Sequence, residues 1–302
     1  MIALLDTWIV IKSIDFFSQH KHRQGNYLTI SRQALNFLLT ILLLELVIAD
    51  YQARIYGQLL AGLILGIYSI RSYLKDSTIK QIVSFKQSQY KSVIAFILLS
   101  YPGLIFHWVI FHSDKFFIED MVGKEALGIY TMAYALGMAI YIADSAISQV
   151  WTSEYYKFAE DSNLNKIYKG ITIQTMLITT IALVLIIASA YIYKYAVDKG
   201  YEAGLQLVPI IVLSYVFFSI SDKFKLFIMK SEKVVWITVN NGIAAFVNIL
   251  LNILLIKQYG ITGAAYSTLI SYLVLMVLNA VIGIKLMNNY HRNKDFQSNT
   301  EN

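Results

Sequence analysis

Among the ionisable residues inside otherwise apolar stretches of this 302-residue chain are Lys12, Arg32, Asp144, Asp222, Lys223 and Lys225. A charge surrounded by hydrocarbon is costly, so it pairs with another charge, faces a wet cavity, or marks the path of an ion or substrate. Lys12 either pairs with Asp15 one turn on or faces a cavity, where its ammonium attracts an anion such as a pyrophosphate. Lys223 is a second cation for that task. Asp144 and Asp222 are the carboxylates able to take up a proton or a sodium ion. Arg32 and Lys225 lie near the ends of their runs, where long cationic side chains snorkel to the headgroups.

Uncharged polar residues form two stripes. Tyr130, Tyr134, Gly137, Tyr141, Ser145 and Ser148 recur at spacings of three and four, which aligns them on one face of a helix, with Asp144 beside them. The stripe is either a cavity wall, whose hydroxyls and rings could meet a sugar, or ordinary helix packing. Asn241, Asn248 and Asn252 share a face of another helix, with Asn240 adjacent. Asparagines so placed hold helices together through interhelical hydrogen bonds or touch a substrate directly.

Other chemistry is missing from the pattern. There is no GxxxxGK[ST] nucleotide loop, no HExxH, no GxSxG and no DxD pair. With no cysteine, disulfides and thiolate catalysis or metal binding are excluded. The five histidines form no ligand set: His20 and His22 share a loop, His107 and His112 are read near the outer end of one helix, and His291 falls in the tail. No residue is therefore read as catalytic, none as a metal ligand, and the chain is not read as an enzyme.

The elements that must carry these residues are membrane helices. Hydrophobic residues make up 57% of the chain and charged residues 15%, with a mean hydropathy of +0.56, far from a soluble balance. Windows of about 20 residues, enough to cross roughly 30 Å of hydrocarbon, find nine apolar runs, beginning near Ile2, Tyr27, Ile55, Val93, Ala126, Ile171, Gly204, Val234 and Ile261. The first is no secretory signal, because it lacks a positive start and carries Asp6, Lys12 and Asp15. Pro102 and Pro209 each lie inside a run and predict kinks. The expected architecture is all-α: a polytopic membrane protein of about nine transmembrane helices, with a disordered cytoplasmic tail at 289–302.

Seventeen of the 25 Lys and Arg residues fall in every second connection, counted from the one after the first run and including Lys223 and Lys225 in the inner third of the seventh run; six fall in the others, and Lys12 and Arg32 lie inside runs. The rule that basic loops stay inside places the C-terminus in the cytoplasm and, with nine crossings, the N-terminus outside. The net charge of +6 is thus a topology signal. No nucleic-acid-binding motif accompanies it, and it implies at most a weak attraction to anionic headgroups.

On this topology Asp114 to Tyr130, "DKFFIEDMVGKEALGIY", is an external connection with an acidic excess. The stretch "LLSYPGLIFHWVIFHSDKFFIEDMVGKEALGIYTMAYALG" resembles the middle of the polysaccharide flippases of the multidrug/oligosaccharidyl-lipid/polysaccharide exporter superfamily, with Pro102, Asp114, Lys115, Gly128 and Tyr130 at the matching positions. "VNNGIAAFVNILLNILLIKQYGITGAAYSTLISY" resembles the connection between that family's last two helices, through Asn248, Asn252, Gly260, Gly263, Ala264 and Ala265. A faint internal echo links "YQARIYGQLLAGLI" from Tyr51 to "YGITGAAYSTLISY" from Tyr259, as expected of transporter repeats.

The resemblance implies a bacterial inner-membrane transporter of an undecaprenyl-pyrophosphate-linked oligosaccharide, built as two six-helix lobes that open alternately to each side. The Wzx-like family pattern has twelve helices, so in this register the first three are missing. Residues 1–91 would then be the second half of an N-terminal lobe and 92–288 a complete C-terminal lobe, as in a fragment or a misassigned start. The implied cargo lies with its pyrophosphate toward Lys12 and Lys223 and its sugars along Tyr130, Tyr134, Tyr141 and Asp144. Asp114 and Lys115 would close an outer gate as a pair, or form a solvated pair worth under about 1 kcal/mol. No cofactor is expected; a proton or sodium gradient would drive transport, and a polysaccharide polymerase and a chain-length regulator are the implied protein partners. Two readings compete: a drug or small-molecule antiporter of the same superfamily, and a membrane-embedded polymerase or ligase, which would need a large external loop. A purely structural membrane subunit is a third.

Overall fold

The computed structural model describes residues 2–18, 22–46, 50, 52–75, 87–161 and 163–300. His20, Lys21, Tyr51, Lys80 and Lys86, invoked above for topology or repeat, lie outside them. Each of the nine apolar runs is carried by one α-helix: α1 (Ile2–Ser18), α2 (His22–Leu46), α3 (Gln52–Lys75), α4 (Gln87–Met121), α5 (Lys124–Glu160), α6 (Leu164–Ala196), α7 (Val208–Lys230), and the stretch Val235–Thr300, which divides at Gly260 into α8 (235–259) and α9 (261–300). Among the described residues six stretches, Val235–Arg292 being taken as one, are long and apolar enough to cross a membrane. The fold is all-α among the described residues.

The chain divides into two compact units, Met1–Lys91 and Ser92–Asn302. In the first, α1, α2 and α3 pack pairwise. Ala53, Gly57 and Ala61, four residues apart, are buried on one face of α3, the small-residue surface that lets membrane helices approach closely. Arg32 does not snorkel: its guanidinium meets Asp6 at 2.6 Å. The α2 arginine sits within reach of a carboxylate on α1, and an ion pair inside the unit replaces the headgroup contact.

In the second unit α7 packs on α5, α6 and the α8–α9 pair. Its core joins Ile118, Tyr130, Tyr134, Ile140, Ile211 and Tyr215. Large apolar side chains such as Ile187, Phe246 and Val281 stand exposed, which suits a lipid-facing surface. Two glycines make the α7–α8–α9 layer possible. Gly260 takes φ 57° and ψ −137°, a backbone region that residues with a side chain avoid, and so reverses the chain without a loop. At Gly283 a Cβ would lie 2.6 Å from the Phe224 carbonyl oxygen, so only glycine lets α9 lie this close to α7.

Three local expectations change. Pro209 does not kink a helix: a 3₁₀ helix occupies Lys199–Leu207, and Pro209 sits at the start of α7, where no amide proton is needed. The segment 289–300, expected to be disordered, continues α9 as helix, with Met287 and Tyr290 packed on the end of α7. Finally α5, at 37 residues, is roughly 55 Å long by helical rise, well over the roughly 30 Å of a hydrocarbon core. Its last turns leave the apolar layer, and there Tyr155 and Ala159 form a separate cluster with Ile167 and Phe227.

Candidate functional site

Polar groups inside the second unit gather in three places along α4, α5, α7, α8 and α9. Nearest the α4–α5 turn, the Asp114 carboxylate is fully buried. Its Oδ2 accepts a short hydrogen bond from the Tyr130 hydroxyl, and its Oδ1 accepts one from the Lys115 backbone N–H at 2.8 Å. The Lys115 ammonium lies 4.3 Å from the centre of the Tyr134 ring, a cation–π contact. In this conformation the Asp114 and Lys115 side chains therefore engage different partners. Consecutive helical residues point about 100° apart, so Asp114 faces into the bundle and Lys115 lies over an aromatic face.

The tyrosine stripe of α5 divides in the same way. Tyr130 and Tyr134 are buried, the latter donating to the Phe111 carbonyl oxygen at 3.2 Å. Tyr134 meets the Phe111 and Tyr215 rings edge-on. Packing, and not an open cavity wall, is what these two side chains form in this conformation. Tyr141 is partly exposed and touches Phe218.

One turn inward the asparagines bridge helices. Asn248 Oδ1 accepts from the Ser113 hydroxyl at 2.7 Å and from Asn252 at 3.1 Å, and Ser267 donates to the Asn248 carbonyl oxygen at 3.0 Å. This network ties α4, α8 and α9 together and gives Asn248 and Asn252 a helix-joining position. Asn241 reaches α4 separately, donating to the Gly103 carbonyl oxygen at 3.0 Å.

The second gathering is an ion pair. Lys223 on α7, only 2% exposed, meets Asp144 on α5 at 2.6 Å. The same ammonium donates to Ser148 at 2.6 Å, and the Ser219 hydroxyl donates to Asp144 at 2.6 Å. Every partner here lies on α5 or α7, so the cluster is a cross-brace between them. Lys12, in the first unit, is buried and paired with Asp15 at 2.9 Å, with its ammonium 4.8 Å from the Phe16 ring. Both candidate anion-binding lysines thus carry a carboxylate partner of their own.

The third place is a cavity of about 280 Å³ between α4, α7, α8 and α9. His107, Ser221, Asp222, Lys225, Asn241 and Asn279 supply its polar lining. Lys225 is bonded to Asp222 and borders this space, so it does not snorkel: Asp222 stands one turn before it on the same face. His107 stacks on Phe218, centroids 5.2 Å apart, deeper in α4 than the outer-end position read from sequence.

Comparison with known proteins fixes the family. The model of the polysaccharide biosynthesis proteins matches residues 1–152. The chain belongs to that family. A protein of the Lsg locus of Haemophilus influenzae is 27% identical over 153 residues, a match covering 48% of this chain and 37% of that protein. The chain thus spans little more than a third of that relative's length. The crystal structure of a MATE mutant aligns with a TM-score of 0.69 at 13% identity, covering 96% of this chain and 68% of the other. At that identity the likeness speaks to fold, and the fold of this polysaccharide biosynthesis protein is MATE-like, in agreement with the flippase superfamily that the two sequence stretches resemble.

Within this family member, sequence reasoning passed over His107, Ser221 and Asn279 as site residues. A signal for Asn279 was present: Ser267, Ser271 and Asn279 lie at spacings of four and eight on α9, a polar stripe like that of α8. Nothing local distinguishes His107 from His112 on the same helix. Only the packing of α7 beside α4 puts one of them against Phe218.

Proposed function

We propose that the chain serves to move an undecaprenyl-pyrophosphate-linked oligosaccharide repeat unit across the bacterial inner membrane by alternating access, for O-antigen, capsule or another surface polysaccharide. Family membership and the MATE-like fold support a transporter of this superfamily. The observation that carries the finer reading is the buried Lys223–Asp144 pair. A lone charge at such a site costs several kcal/mol (about 3–5 when one partner of a buried pair is removed), so Lys223 can leave Asp144 only for another anion. The cargo's pyrophosphate is such an anion. Neutralising Asp144 with a proton or a sodium ion releases the lysine at the moment the phosphate arrives, which links ion entry, cargo binding and loosening of α5 from α7. The C-terminus faces the cytoplasm in this scheme, with a polysaccharide polymerase and a chain-length regulator acting on the cargo after translocation.

The role proposed is transport and not catalysis, a reading that the family and the MATE-like fold support. Described connections are short, the longest being the 3₁₀ segment between α6 and α7, whereas a polymerase or ligase would need a large external loop. A drug antiporter is favoured by the MATE-like fold alone, and extrusion of cationic dyes would identify it.

The test is complementation. The 302-residue chain, and the same chain extended upstream in its genomic frame, are expressed in a flippase-null strain with the cognate sugar pathway, and surface polysaccharide is read on a gel. The expected result is restoration by at least one form and its loss in Lys223→Met. If membrane-inserted protein of both forms leaves the polysaccharide absent, the flippase reading is wrong.

A further inference from the structure

The cavity between α4, α7, α8 and α9 has three properties that together select a ligand class. Its charges cancel within the wall, since Lys225 is bonded to Asp222. Among the described lining residues no unpaired ammonium or carboxylate is left to recognise an anionic phosphate or a cation. The remaining hydrogen-bonding capacity is neutral. Asn241 uses one N–H on the Gly103 carbonyl oxygen, which leaves its amide oxygen to accept. The Ser221 hydroxyl accepts from Asn279 at 2.8 Å and keeps its own proton to give. Apolar lining comes from Phe218, Ile237 and Leu275, each one helical turn from a polar group on its own helix, and from Leu104 and Met229 at exposed positions.

Neutral donors and acceptors set one turn from apolar side chains match a ring that bears hydroxyl or amide groups around its rim and C–H bonds on its faces. Size narrows the match. At about 280 Å³ the cavity falls just under the usual ligand pocket, roughly 300–1,000 Å³, enough for one ring and not for a whole oligosaccharide. We infer that this cavity is a subsite for a single uncharged sugar residue, separate from the Lys223–Asp144 pair. The inference rests on the transport reading above for its choice of cargo, and assigns the sugar to Asn241, Ser221 and Asn279 instead of Tyr130 and Tyr134, which are packed away.

The absence of cysteine makes the test direct. Thr238→Cys places the chain's sole thiol at the cavity wall. Its rate of maleimide labelling is measured on the purified full chain with glucose, galactose, N-acetylglucosamine and rhamnose as probes, and with inorganic pyrophosphate and tetraphenylphosphonium as charged controls. At least one sugar is expected to slow labelling saturably, by about tenfold at ten times its Kd, while the two charged probes do not. Leu104→Trp, at an exposed position where folding tolerates bulk, fills the mouth and abolishes that protection with an unchanged elution profile.

Protection by pyrophosphate or the phosphonium, or by no probe, overturns the proposal. Leu104→Trp in the complementation strain separates the two readings. If the unsubstituted chain restores polysaccharide and Leu104→Trp restores it equally, the subsite is wrong and the transport reading stands. If neither the unsubstituted chain nor its extended form restores polysaccharide, the transport reading falls by itself, and protection by sugar still decides the cavity.

Discussion

Replacing Lys223 by Met removes the ammonium but keeps most of the side chain's volume. Asp144, 4% exposed, would then be a buried carboxylate with only the Ser219 hydroxyl for company. Leaving one member of a buried pair uncompensated costs about 3–5 kcal/mol, whereas replacing both with apolar groups of similar volume is neutral or stabilising by about 1–4 kcal/mol. If the contact were instead an average interhelical hydrogen bond, its loss would be about 0.6 kcal/mol. A domain of 150–250 residues shifts its Tm by roughly 2–4 °C per kcal/mol. The single variant is therefore expected to melt roughly 6–20 °C below the parent, against a drop of only about 1–2 °C for an ordinary hydrogen bond. Thermal melting in one detergent, followed by the fraction remaining monodisperse, measures both Lys223→Met and the double variant Asp144→Leu with Lys223→Met. The double variant should recover most of the loss. A double variant that melts lower than either single one would show that the site is held by shape and not by charge, and the coupling argument built on Asp144 would fail with it.

Tyr130→Phe removes the hydroxyl that Asp114 accepts from, leaving the buried carboxylate with the Lys115 backbone N–H and the neighbouring Thr268 hydroxyl; a destabilisation of about 1–3 kcal/mol is expected. It should shrink when Asp114→Asn is already present, and a double-mutant cycle of melting temperatures that came out additive would show the two groups to be uncoupled. Orientation is open to the same cysteine-free background. Val122→Cys, in the α4–α5 turn, should react with an impermeant maleimide from outside intact cells, and Glu232→Cys, in the α7–α8 turn, only after the cells are opened. The opposite pattern would reverse the proposed topology.

The sequence alone determined the class of the molecule and the identity of its unusual residues. Hydropathy and helical period are properties of neighbouring residues, so the nine apolar runs and the polar faces of Tyr130–Tyr134 and Asn248–Asn252 could be read without any contact between helices. The two quoted motifs carried the superfamily for the same reason: they are short and contiguous. What no local rule supplies is the partner of a charge. Lys12 and Asp15 are one turn apart, and that pairing was open to inspection. Lys223 and Asp144 are 79 positions apart, and Asp114 turns to Tyr130 and away from adjacent Lys115 because the rotation of α4 against α5 decides which side chain enters the bundle. The cavity is more remote still, since a space is the volume left when four helices pack. His107, Ser221, Asp222, Lys225, Asn241 and Asn279 share its lining only because close approaches such as Gly103 to Thr238 and Gly283 to Phe224 set where α4, α7, α8 and α9 can lie.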